Sequence, residues 1–193
     1  MLPGELETLI GLIADREPLS MLEIGVNTGR TAAEILDNVP SLETYQGVDV
    51  LPGYRTEKFV QRREVPQAPG HLASHDKRFE LVLRARGSLD LQPSELLPAD
   101  VVFIDGDHSR RCVSLDTALA HAVVKPGGLI IWHDYHDLGT VDVRDVLDEW
   151  WKAGEAITHI EGTWLAFKQI PKRQKRVAQI NQLHSTEAVP ETV

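Results

Sequence analysis

The sequence predicts an α/β fold: a Rossmann-like, doubly wound, mostly parallel sheet that ends in an antiparallel strand pair. Three observations carry that expectation. Short apolar runs alternate with amphipathic helical stretches. The runs are almost wholly apolar, as strands covered on both faces must be. Their carboxyl ends hold glycines, carboxylates and imidazoles, in "EIGVNTG", "GVDV", "FIDGDHS" and "WHDYHD", and sheets of this kind bind ligands at that edge.

Each element follows from local pattern. Leu6, Leu9, Ile10 and Ile13 sit at helical spacing within Leu2 to Ala14, and Pro18 closes that stretch. Met21, Leu22 and Ile24 make a first strand, Gly25 opens a turn, and "TAAEILDNV" supplies good helix formers. "TYQGVDV" is a second strand ending near Asp49. "FELVLRA" is a third and "ADVVFIDGD" a fourth. "VSLDTALAHAVV" reads as a helix stopped by "KPGG", and "LIIWHD" as the fifth strand. "VDVRDVLDEWWKAG" is a helix expected to turn Val143, Val146, Leu147, Trp150 and Trp151 inward. "AITHIE" and "TWLAFKQ" form the final antiparallel pair, joined near Gly162. Between Leu51 and Lys77 the pattern is irregular, apart from a helix expected in "RTEKFVQRREV".

The 193 residues suit one domain over 1–170 followed by a flexible tail over 171–193. One cysteine, Cys112, excludes an internal disulfide and suits a reducing compartment. Neither a leader pattern nor a membrane-length apolar run is apparent, so a cytoplasmic protein without a membrane partner is expected. The formal net charge is −9. The tail holds four basic residues (Lys172, Arg173, Lys175, Arg176) and two acidic ones (Glu187, Glu191), so the remainder carries −11. So acidic a body disfavours nucleic acid, whose binding needs concentrated Lys and Arg.

The first turn narrows the ligand. Gly25 and Gly29 let backbone approach a bound molecule, but Asn27 stands where a dinucleotide fingerprint needs its second glycine. Glu23 would repel a pyrophosphate and suits an ammonium group. Asp49, ending the second strand, can accept from ribose hydroxyls. A nucleoside joined to an amino acid, S-adenosylmethionine, satisfies all of these.

These motifs carry a resemblance. "EIG…GRT" at Glu23–Thr31, "FIDGDHS" at Phe103–Ser109 and "PGG…HDY" at Pro126–Tyr135 resemble a small bacterial family of class I S-adenosylmethionine-dependent methyltransferases. The similarity runs from about Met21 to Lys168. It implies that Glu23, Gly25, Asn27 and Gly29 line the methionine part and Asp49 holds the ribose. It also implies that Gly87 and Ser88 in "RGSLD" border adenine and that Asp105 lies beside the cofactor.

The other edge residues suggest the chemistry. Asp105, Asp107 and His108 follow the fourth strand; His133, Asp134, Tyr135, His136 and Asp137 follow the fifth. Carboxylates gathered there call for a cation or a proton. Mg²⁺ suits oxygen ligands, and imidazole shifts preference toward transition metals. The pattern resembles catechol-type and macrolide-sugar O-methyltransferases, which implies Asp105 as first ligand and either His133 with Asp134, or Asp134 with Tyr135, as the second pair. His108 is the expected general base, with His133 and His136 as rivals. Residues 51–77 are expected to cap a small-molecule acceptor, with Tyr54 and Phe59 as apolar walls and Arg55, Arg62 and Arg63 toward an anionic one. The expected reaction is O-methylation of a small molecule or sugar. A non-catalytic nucleoside-binding module and a nicotinamide-dependent oxidoreductase are the rival readings. The amphipathic first helix could also pack on a second copy, giving a homodimer.

Overall fold

The computed structural model describes residues 1–55 and 65–172. The chain runs α1 (Glu5–Ala14), β1 (Ser20–Ile24), α2 (Arg30–Asn38), β2 (Thr44–Val50), β3 (Phe79–Arg84), β4 (Ala99–Ile104), α3 (Arg110–Val123), β5 (Val124–Trp132), α4 (Val143–Lys152), β6 (Thr158–His159) and β7 (Ala166–Gln169). Two short 3-10 turns, Gly87–Asp90 and Pro93–Glu95, lie between β3 and β4. The strands form one sheet in the order β3-β2-β1-β4-β5-β7-β6. β1 to β5 are parallel, and β7 runs antiparallel to both β5 and β6. The predicted architecture is therefore the observed one.

Alternation along the strands divides the core in two. Leu22, Ile24, Val102, Ile104, Ile130 and Trp132 face α3 and α4. Met21, Val101, Phe103, Leu129 and Ile131 face α1 and α2, where Leu9, Ile13, Ile35 and Leu36 meet them. Of the apolar stripe of α1, Leu9 and Ile13 are thus buried within the chain, and Leu6 and Ile10 are half-buried beside them. The buried Trp132 indole donates to Thr117 Oγ1 at 2.9 Å, so this large side chain leaves no polar atom stranded.

Two local expectations change. Trp151 is 61% exposed. Val143, Val146, Leu147 and Trp150 share one side of α4, and at 100° per residue Trp151 falls about a quarter-turn away from it. β5 also begins earlier than "KPGG" suggested: Val124 pairs with Ala99, and an irregularity then separates that pair from Val101 with Leu129. The helix expected in "RTEKFVQRREV", with Phe59, Arg62 and Arg63, lies almost wholly outside the described residues, as does the tail from residue 173.

The chain leaves β1 outward to β2 and β3, then returns to β4 on the other side of β1. The carboxyl ends of β1 and β4 are the point where strand order reverses, and open α/β sheets form their ligand crevice there.

Candidate active site at the carboxyl ends of the strands

The junction is built on close backbone contact. Gly25 has φ +92, and a Cβ on it would lie 2.2 Å from the Asp105 carbonyl oxygen and 2.5 Å from the Gly106 Cα. Only glycine lets β1 and β4 end this close together. Asn27 follows with φ 51. Its backbone N–H donates to Asp49 Oδ2 at 2.6 Å, while the Val50 N–H donates to Asp49 Oδ1 at 2.6 Å. Burial raises the Asp49 carboxyl, and those backbone donors pull the other way. Gly29 does different work from that expected. It lines neither neighbouring cavity, and its φ of +84 brings the helix start against Gly70, whose Cα would be 2.9 Å from a Cβ there. Gly70 N–H in turn donates to the Asn27 carbonyl at 2.8 Å.

One cavity is a narrow slot of about 80 Å³. Gly25, Asn27, Asp49, Gly87, Ser88 and Asp105, all expected site residues, line it. Its apolar walls come from Ile24, Val48, Val50 and Leu89. Tyr54, Val65 and Pro66 close one side, so the described part of 51–77 borders this slot. Cys112 is buried in its wall, where burial pushes the thiol up to about 11 and leaves it unreactive. Glu23 is not in the wall. It is 1% exposed on the α1/α2 side of the sheet and accepts from the Tyr45 hydroxyl at 3.0 Å. Burial raises its carboxyl well above the usual range, reinforced by the charges of Asp105 and Asp49. The expected ammonium contact therefore does not fit Glu23, because strand alternation turns its side chain away from the slot.

The second cavity, about 420 Å³, adjoins the first and shares Gly25, Asn27, Asp105 and Gly106 with it. Met1 to Gly4 and Leu6 form one wall; Asp105, His108, His133 and Asp134 form the opposite one. Asp134 has φ 58, a strained turn straight after β5 that sends its carboxylate back toward β4. His108 Nε2 lies 3.2 Å from Asp134 Oδ2 and 3.5 Å from Asp105 Oδ1. His133 Nδ1 is 3.1 Å from Asp105 Oδ1, and its Nε2 is 3.1 Å from Glu5 Oε2. Burial works against the His133 imidazolium, but Asp105, Asp134 and Glu5 outweigh it and push its pKa up to about 12. Burial likewise opposes charge on Asp105, yet His133 and His108 hold that carboxyl well below its usual range. His108 is raised too, its burial overcome by Asp105 and Asp134.

Three of these residues can converge on an ion. Ligand atoms of Asp105, His108 and Asp134 lie within 4.8 Å of one another. Both ring nitrogens of His108 and Asp134 Oδ1 are buried without a hydrogen-bond partner, and buried polar atoms seldom stay so. The expected ligand set was Asp105, His133 and Asp134. The structure places His108 in that group, because both nitrogens of His133 already face carboxylates. Tyr135 is excluded as a ligand: its hydroxyl donates to Asp148 Oδ1 at 2.5 Å. The His136 ring lies tilted against Trp164, with ring centroids 4.4 Å apart, and lines neither cavity.

Two residues here escaped the sequence reading. Glu5, 0% exposed, accepts from the Leu2 N–H at 2.7 Å, the Trp164 N–H at 2.5 Å and His133. It ties α1, the end of β5 and the β6–β7 turn together. Asp116 of α3, 1% exposed, lines the slot and accepts from Ser88 Oγ at 2.5 Å. Burial pushes its carboxyl up to about 7.

The fold and this edge define a methyltransferase domain of the class I, Rossmann-like kind. The chain matches the model of the methyltransferase-domain family over residues 22–135, and it belongs to that family. An uncharacterised protein of Acanthamoeba polyphaga mimivirus is 28% identical over 124 residues, which are 64% of this chain and 54% of that protein. The chain thus spans about half the length of that curated relative. Among solved structures, the O-methyltransferase TomG of Streptomyces achromogenes, involved in tomaymycin synthesis and in complex with SAM, superposes with TM-score 0.59 at 18% identity, covering 89% of this chain and 81% of that one. An O-methyltransferase of Bacillus cereus in complex with SAH does so with TM-score 0.59 at 16% identity, covering 86% and 80%. The methyltransferase MycE of the mycinamycin pathway, in complex with Mg, SAH and mycinamycin VI, gives 0.59 at 16% identity, covering 90% and 51%. At these identities the likeness shows the fold.

Proposed function

We propose that the protein transfers a methyl group from S-adenosylmethionine to a hydroxyl of a small molecule. The observation that carries this reading is the pair of adjoining cavities sharing Gly25, Asn27, Asp105 and Gly106. An apolar slot with a diol-accepting carboxylate, Asp49, suits a nucleoside. The wider cavity, lined by acids and histidines, has room for the amino-acid arm and an acceptor. Asp105 faces both cavities, is held as a carboxylate by its histidines, and so complements positive charge at the junction.

The reaction asks little else of the chain. The acceptor oxygen attacks the sulfonium methyl in line; the O–CH₃ bond forms as the S–CH₃ bond breaks, and the thioether leaves neutral. Binding both partners across one wall supplies alignment. In its neutral form and with no ion bound to it, His108, between Asp105 and Asp134, is the group placed to take the hydroxyl proton. Asp105, His108 and Asp134 would also hold a divalent ion, which when bound polarises the acceptor oxygen. The relation to MycE, which binds Mg, and to TomG, an O-methyltransferase, supports both the ion and the oxygen acceptor.

Methyl-labelled S-adenosylmethionine tested against hydroxylated small molecules, with and without Mg²⁺, checks the reading. Label transferred to an acceptor oxygen is expected. Cofactor binding with no transfer to any acceptor would favour the non-catalytic nucleoside-binding module. A preference for NAD would favour the oxidoreductase, against which Asn27 in the first turn already counts.

A further inference from the structure

Glu5 is a fully buried carboxylate that the transfer itself does not touch. It opens α1, where an acid ordinarily serves the free N–H groups of its own helix. Glu5 directs its oxygens elsewhere. Oε1 accepts from the Trp164 N–H at 2.5 Å; Oε2 accepts from the Leu2 N–H at 2.7 Å and from His133 Nε2 at 3.1 Å. The Leu2 carbonyl in turn accepts from the Glu5 N–H at 3.2 Å. The other nitrogen of His133 donates to Asp105 Oδ1 at 3.1 Å. One line of side chains therefore runs from α1 to the junction of the cavities: Glu5, His133, Asp105. His133 and Asp105 line the wider cavity, and Glu5 stands behind them.

Such a line fixes geometry. His108 approaches Asp105 Oδ1 only to 3.5 Å, so His133 is the closer partner of that oxygen. The His133 ring is oriented by carboxylates at both ends, and release of Nε2 frees it to turn Nδ1 off Asp105. Burial opposes the charge on Glu5, yet His133 and the Trp164 and Leu2 N–H groups hold its carboxyl below the usual range. We propose that Glu5 is a positioning residue: through His133 it holds the Asp105 carboxylate at the junction, where Asp105 complements the sulfonium charge of S-adenosylmethionine. This rests on the methyltransferase reading of the junction. A charged group complements a ligand best when neighbours that do not touch the ligand lock its orientation.

The test is calorimetric binding of S-adenosylmethionine, and of S-adenosylhomocysteine, which lacks the sulfonium charge, to the full chain, to Glu5→Ala, to His133→Asn and to the double variant. Glu5→Ala should weaken S-adenosylmethionine binding by about 3- to 10-fold and change that of S-adenosylhomocysteine by less than about twofold. The Asn amide nitrogen stands where Nδ1 does and donates to Asp105 without reaching Glu5. In the His133→Asn background, Glu5→Ala should therefore leave the ratio of the two affinities unchanged. Proton–nitrogen spectra of the protein labelled at histidine read the ring directly. The wild type should show both His133 ring N–H signals, and Glu5→Ala should abolish the Nδ1–H signal on the Asp105 side as well as the Nε2–H signal. A Glu5 that only anchors α1 predicts loss of the Nε2–H signal alone and an equal fall in both affinities. An unchanged Nδ1–H signal, an unchanged affinity ratio, or a shift in that ratio equally large in the His133→Asn background overturns the proposal while leaving the methyltransferase reading standing. A wild type that binds neither ligand overturns both. If Glu5→Ala does not fold, Glu5→Gln takes its place under the same criteria, because its amide offers one oxygen where the carboxylate offers two.

Discussion

The two cavities share four residues and are built on opposite terms. In the slot, polar groups are largely satisfied by the chain itself: Asp49 takes two backbone N–H donors, and Asp116 takes Ser88. In the wider cavity, His108 and Asp134 keep buried atoms with no hydrogen-bond partner, and Asp134 sits in a strained backbone conformation. The first region resembles a preformed receptor. The second holds unspent bonding capacity, the condition expected where reacting groups or an ion must be received. The contrast assigns binding to one side of the Gly25–Asp105 junction and chemistry to the other.

The largest expected effect comes from attacking the shared wall. Gly25→Ala forces a Cβ into the Asp105 carbonyl and also strains a positive φ. It should abolish S-adenosylhomocysteine binding and cost about 3 kcal/mol or more of stability, read by calorimetry and thermal unfolding. His108→Ala sharpens the contrast. Methyl transfer to an acceptor found by screening should fall about 10²- to 10⁴-fold, while the affinity for S-adenosylhomocysteine changes less than about tenfold. Equal losses in rate and affinity would merge the two regions into one.

Asp116 gives a pH signature on the slot side. Its carboxyl is raised to about 7 in the folded chain, chiefly by burial and further by Asp107, with Ser88 and His108 acting the other way. A raised folded pKa means that the contribution is fully present below about pH 4 and is lost as pH rises through about 7. Relative to Asp116→Asn, the wild type should therefore lose stability across that interval, by up to about 4 kcal/mol. Chemical denaturation at several pH values reads it, and parallel curves would show that the carboxyl is not desolvated. The smallest effect belongs to neither cavity: Trp151→Ala should change stability by less than about 0.5 kcal/mol, because that side chain faces solvent.

Sequence pattern reached the strands and their ends with little loss. β2 falls where "TYQGVDV" placed it, and Gly25, Asn27, Asp49, Gly87, Ser88 and Asp105 all border the slot. Strand ends are legible because apolar runs stop abruptly at polar residues, and the fold brings those stops to one edge. What was hidden depends on side-chain direction and distant contact. Glu23 lies at a strand end but alternates to the wrong face. Glu5 meets His133 across 128 residues, and an acid in the first turn of a helix ordinarily reads as a dipole partner. Asp116 did leave a trace. It shares a helix face with Val113, Thr117 and Ala120, all buried, and a carboxylate on an apolar stripe is out of place there. His108 stands where His133 was expected in the candidate ligand set, because two imidazoles at neighbouring strand ends cannot be told apart without their partners.

The measurement that bears most directly on the division of labour is calorimetric titration of S-adenosylhomocysteine, then of Mg²⁺, into the wild type, His108→Ala and Asp134→Ala. All three are expected to bind S-adenosylhomocysteine with similar affinity, and the Mg²⁺ heat of the wild type is expected to be lost in both variants. Wild-type protein silent to S-adenosylhomocysteine but responsive to NAD, or variants that lose the nucleoside ligand along with the ion, would contradict that division.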